Sequence, residues 1–112
     1  MAKPKTRSYS RYATQAAELL GLAIREARIQ RGLTVVEAAE RAGMSRGLVN
    51  RIENGEMGCA IGAAFELAAI VGVPLFDTEP TTLTRSLENA REKVSLLPKR
   101  TRKSKKAVKD DF

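Results

Sequence analysis

Apolar residues recur at helical spacing along most of the chain, and glycine, proline and capping side chains cut the pattern into segments. Leu20, Ile24 and Ala27 make the inner face of a helix expected from about Thr14 to Gln30, with Arg28 beside that face. Gly32 ends this helix and Leu33 plugs the core before Thr34. From Thr34 to Gly55 two short helices flank a tight turn. Thr34 caps the first, and Glu37 at the third helical position completes a capping box. That helix ends near Ala42, where Gly43 supplies the left-handed residue that a Cβ would disfavour. Ser45 caps the second helix, and Gly55 closes it after Asn54. Ala38, Ala39, Ala42, Met44, Val49 and Ile52 form one inner face. Alanine at 38, 39 and 42 suits two helices that cross steeply beside a short turn.

A further helix is expected from Ile61 to Val71, with Ile61, Ala64, Phe65, Ala68 and Val71 as core candidates and Gly72-Val73-Pro74 as its stop. Residues 77–82 have linker composition. A last helix follows from Thr82, and its stripe of Leu83, Leu87, Ala90, Val94 and Leu97 reads equally as a cover for the core or as a dimer surface.

The Thr34–Gly55 stretch resembles the helix-turn-helix of the Cro/cI-type (XRE-like) DNA-binding family. The resemblance extends to Leu20–Arg28 followed by Gly32-Leu33-Thr34, to Arg51-Ile52-Glu53-Asn54-Gly55, and to Leu67-Ala68 with Val71-Gly72-Val73-Pro74-Leu75, about half of the chain. It implies an all-α fold, a compact five-helix lambda-repressor-like domain with disordered basic N- and C-terminal tails. The corresponding division is a flexible basic arm (1–13), the DNA-binding domain (14–75), a linker and C-terminal helix (76–98) that covers the core or dimerises, and a disordered basic tail (99–112).

Charge changes this picture. The net charge is +7 over 112 residues, but residues 1–13 carry +4 and residues 99–112 carry +5, so the stretch between them is slightly acidic. Attraction to phosphate therefore belongs mostly to the termini and is salt-sensitive. Residues 1–13, with Tyr9 and Tyr12, read as a solubilising terminus or as a DNA-contacting arm. The tail ends abruptly in Asp110-Asp111-Phe112, which reads as a frayed terminus or as a docking peptide anchored by Phe112.

Aromatic residues make up 4% of the chain, so the core must be aliphatic and alanine-rich. With one cysteine, Cys59, and no histidine, an intramolecular disulfide and a Cys/His zinc site are excluded. The usual general base is missing and no Gly-rich phosphate loop joins a strand to a helix, so neither an enzyme nor a cofactor or metal is expected. With no signal peptide or spanning apolar run, the cytoplasm is the expected location.

For reading DNA, the exposed set on the second short helix is Arg46, Gly47, Asn50, Arg51 and Asn54. Arginine binds guanine O6 and N7 bidentately, and asparagine does the same with adenine N6 and N7. The resemblance implies base contacts from Arg46, Gly47 and Arg51, with Asn50 next, and phosphate contacts from Ser45 and Asn54. Thr34 and the backbone amides beside it are left for phosphate where the family often has a polar residue at the place of Val35. Gly47 offers only a close backbone approach or a thymine methyl contact. The loop Glu56–Ala60 lacks the basic residues and proline that the family often carries there. The resemblance further implies a structural ion pair of Arg28 with Glu53, and a homodimer on a palindrome.

Two functions stand at this point. One is a sequence-specific repressor acting as a homodimer on double-stranded DNA. Its layout also resembles HipB-type antitoxins, which repress their own operon and bind a HipA-type kinase toxin. The other is a protein-binding adaptor in which the two short helices serve only for packing.

Overall fold

Ser10 starts the first helix. Its hydroxyl accepts a hydrogen bond from the Ala13 N–H at 3.1 Å, and α1 runs Arg11–Gln30. The computed structural model describes residues 8–77 and 79–99, so the segments 1–7 and 100–112, with Phe112, lie outside the described residues. The helix begins three residues before the expected Thr14, so Arg11, Tyr12 and Ala13 are helical. The cap at Ser10 accounts for this, because it precedes any apolar period.

Thr34 caps α2 (Val35–Ala42) through a reciprocal box. The Glu37 N–H donates to the Thr34 hydroxyl at 3.0 Å, and the Thr34 N–H donates to Glu37 Oε1 at 2.9 Å. Gly43 follows at φ 70°. Nothing stands within 4 Å of the Cβ position there, so the constraint on this residue is its backbone conformation and not space. Ser45 caps α3 (Arg46–Glu53) by accepting from the Leu48 N–H at 3.1 Å. The next helix, α4 (Ile61–Val71), has no side-chain cap and ends at Gly72, after which a short 3-10 turn covers Leu75–Asp77. No strand occurs among the described residues.

The chain divides into two compact units, Met1–Asp77 and Thr78–Phe112. In the first, Ile24, Leu33, Ala38, Ala39, Val49, Ile52, Leu67, Ala68 and Val71 form the core. Ile24, Val49, Leu67 and Val71 are completely buried, each contributing roughly 1.5–3 kcal/mol of gross burial energy. Ile61 is not part of this core: it is 69% exposed. It is the first residue of α4, and helical side chains lean toward the N-terminus, which carries this one past the end of the packed face. Leu67 provides the bulk.

The second unit contains α5 (Pro80–Ser95), with proline at the start of the helix where its missing N–H costs no hydrogen bond. The helix thus takes in Pro80 and Thr81, two residues of the expected linker. No residue of α5 is buried, and Leu83, Leu87 and Val94 stand exposed.

Two features lock α1 to the end of α3. At Gly21 a Cβ would meet the carbonyl oxygens of Ile52 and Glu53 at 2.6 Å, so the two backbones touch where any side chain would wedge them apart. Beside this contact Arg28 Nε donates to Glu53 Oε2 at 2.7 Å and Nη2 to Oε1 at 3.1 Å, while Nη1 donates to the Leu33 carbonyl at 2.9 Å. Both residues are buried. The hydrogen bond to Glu53, aided by its charge, raises the Arg28 pKa further despite burial, so the guanidinium stays charged throughout the working pH range.

Glu53→Ala leaves this guanidinium buried without its partner and should lower the unfolding free energy by about 3–5 kcal/mol. The apolar pair Arg28→Met with Glu53→Leu should recover most of that loss. Urea unfolding midpoints at unchanged slope measure both.

Candidate nucleic-acid interface

The short helix α3 buries Val49, Ile52 and Glu53 on one side. The opposite side follows from the 3.6-residue period: Arg46, Gly47, Asn50, Arg51 and Asn54 lie together and are all exposed. Gly43 and Ser45 set the angle at which this face is presented, the first by its left-handed backbone and the second by capping the helix.

Arg51 does not stand free on this face. Its Nε lies 3.9 Å from Glu56 Oε1, and its Nη1 is 3.6 Å from the place that a Cβ on Gly47 would occupy. The Arg51–Glu56 pair is exposed and so worth about 0–1 kcal/mol at most. It holds the guanidinium loosely between the exit loop of α3 and the gap at Gly47. This contact was not expected from the sequence. Its signal is Glu56, five residues after Arg51 in a loop that turns back on the helix.

The residues assigned to phosphate are placed as follows. Thr34, Ser45 and Asn54 are exposed. The hydroxyls of Thr34 and Ser45 accept from the backbone N–H groups of Glu37 and Leu48, which leaves their own hydrogens to donate to an anion. The capping box takes the N–H groups of Thr34 and Glu37, so those of Val35 and Val36 remain at the end of α2 for a phosphate oxygen.

Between α2 and α3 the surface is concave. A cleft of about 350 Å³ is lined by Val35, Val36, Arg46, Gly47 and Asn50. Val35 is half-buried and packs on the core, whereas Val36 is 42% exposed. The sequence carries a signal for this. Positions 35, 38, 39 and 42 complete an inward face, which leaves Val36 as an apolar residue off that face.

Residues 24–77 match the family model described as a helix-turn-helix. The match runs from the middle of α1 through the 3-10 turn and takes in all of α2, α3 and α4. These residues form an XRE-type helix-turn-helix domain. No curated protein matches the chain. The match supports a DNA-binding transcription regulator of the XRE type. Among the described residues, no helix is long and apolar enough to cross a membrane, and no cluster of His, Cys, Asp or Glu could hold a metal ion. Within the helix-turn-helix, Arg28 and Glu53 are brought together in the interior, well away from the exposed face of α3.

Arg46→Ala and Arg51→Ala should each weaken binding to a selected duplex by about 1–3 kcal/mol and relax the base preference at one position. Both side chains are exposed, so the melting temperature should change little. Fluorescence anisotropy against single-base operator variants, with thermal unfolding as control, reads both effects.

Proposed function

We propose that the chain is a transcriptional repressor that binds a palindromic operator as a homodimer. The observation that carries this reading is the common exposed face of Arg46, Asn50 and Arg51 on α3 of an XRE-type helix-turn-helix. Three base-reading side chains specify only a short half-site. Two copies with α3 in successive major grooves, about 34–36 Å apart, double the number of bases read. Repression then requires nothing beyond occupancy of a promoter.

The stripe on α5 supports self-association. Leu83, Leu87, Ala90 and Val94 alternate steps of four and three residues, the spacing of a coiled-coil seam, while Leu97, the last residue of the expected stripe, lies two residues past the end of the helix. None is buried in one copy of the chain. A second copy offers an identical apolar stripe, and pairing the two removes both from water.

The basic termini add affinity without adding selectivity. Their cations release counterions from DNA whatever its sequence. Asp110, Asp111 and Phe112, the last part of the layout that resembles HipB-type antitoxins, lie outside the described residues. In that version of the reading the chain represses the operon of a HipA-type kinase and binds the kinase itself.

Selection of duplexes from a random pool by the full chain tests the repressor reading. The expected product is an inverted repeat with half-site centres one helical turn apart. Leu87→Lys should convert the dimer to a monomer in sedimentation and reduce the selected site to a single half. A chain that enriches no sequence would overturn the repressor reading in favour of a protein-binding adaptor.

A further inference from the structure

Gly47 has no explanation inside the molecule. It lies in the first turn of α3, and its φ is not among the positive values. A Cβ there would meet only Arg51 Nη1 at 3.6 Å and Ser45 Oγ at 3.9 Å, ordinary contacts that any residue tolerates. Gly21 is different, since there backbone atoms stand at 2.6 Å. Glycine is also a poorer helix former than alanine. Neither the backbone nor the packing of the domain therefore calls for glycine at 47. What its absent side chain does is leave room in the cleft that Gly47 lines on the exposed face.

The walls of that cleft are equally specific. Val36, 42% exposed, puts an apolar side chain beside the half-buried Val35 in a cleft whose other lining residues are Arg46, Gly47 and Asn50. The major groove presents hydrogen-bonding edges on every base pair but one apolar group, the 5-methyl of thymine. A cleft lined by valine side chains, the bare backbone of Gly47 and two polar side chains matches that one feature.

We propose that the cleft between the start of α2 and α3 receives the major-groove edge of a thymine, with its 5-methyl packed against Val36 and the backbone of Gly47. This rests on the reading of the chain as a sequence-specific DNA-binding protein, and it assigns to Val36 and Gly47 a part of the specificity that hydrogen bonding by Arg46, Asn50 and Arg51 does not supply. Val35 and Val36, which line the cleft, also carry the first N–H groups of α2, so a phosphate held there would limit how deep the base edge sits. A longer residue at 47 would fill that room and keep the methyl out.

The test uses the full chain and the operator that it selects. Each thymine of the operator is replaced in turn by uracil in both half-sites, a change that removes the methyl and leaves every hydrogen-bonding group in place. At one thymine of each half-site the loss should be roughly fourfold per methyl, the transfer value of one such group, and so about fifteenfold for the two together. Val36→Asn, whose side chain stands at an exposed position, should weaken binding to the thymine operator and abolish the difference between thymine and uracil. Gly47→Gln should do the same, with circular dichroism reporting an intact fold for both variants. If the chain selects an operator but no uracil weakens binding, the assignment of the cleft is overturned and the repressor reading stands. The same holds if the methyl effect persists undiminished in Val36→Asn. If no sequence is selected at all, the repressor reading and the assignment of the cleft both fall.

Discussion

Arg28 reaches from α1 to Glu53, the last residue of α3, and donates to the Leu33 carbonyl on the way. These three hydrogen bonds join α1, the connection after it and the end of α3. A helix of eight residues does not persist alone in water, because the cost of nucleation is spread over too few hydrogen bonds. α3 therefore owes its existence to what anchors its two ends. Ser45 holds the first end through a cap. The second end is held by Glu53 from the side and by the backbone contact with Gly21 from below. A buried ion pair is not a cheap source of stability, and an apolar pair would serve about as well. What the pair adds is direction. Its bidentate geometry is satisfied only at one rotation of α3 relative to α1, and that rotation decides which residues of α3 face outward.

The scarcity of aromatic residues has a structural consequence. Alanines 38, 39 and 68 are buried and Gly21 touches backbone, so the helices approach closely around a small aliphatic centre. Such a core is tightly packed, but it offers little area per residue. The domain adds caps and charge-assisted bonds at its helix ends, made by Thr34, Glu37, Ser45 and the Arg28–Glu53 pair.

Much of this is legible in the residues themselves. The reciprocal box of Thr34 and Glu37, the left-handed Gly43 and the cap at Ser45 have short-range signatures, and α2 and α3 follow from them. The exposure of Arg46, Asn50 and Arg51 on one side of α3 is likewise legible, since it needs only the helical period and the inward positions of Val49 and Ile52. Features decided by several segments at once are harder to read. The start of α1 depends on a cap at Ser10 that no apolar period announces. Pro80 looks like linker composition, yet at the first position of a helix it is an initiator. Ile61 has the right spacing for the core of α4, but it sits where the packed surface has already ended. The contact between Arg51 and Glu56 depends on the path of a loop that no local pattern fixes. The cleft is a composite of this kind too. Val36 and Gly47 are separated by the whole turn, and each alone looks like a minor irregularity.

The distribution of charge then separates two tasks that a basic domain would mix. Between the termini the chain is slightly acidic, and Glu56 stands where it restrains one of the two arginines best placed for bases. On the proposed reading the near-neutral helix-turn-helix contributes through fit: bidentate bonds, helix ends and a matching apolar surface. On the same reading the cations of the two termini would supply attraction that is indifferent to sequence and falls with salt. In such a division, selectivity and affinity respond to different perturbations. Substitution on α3 or in the cleft changes which sequence is bound, whereas salt or neutralised terminal lysines change how tightly any sequence is bound.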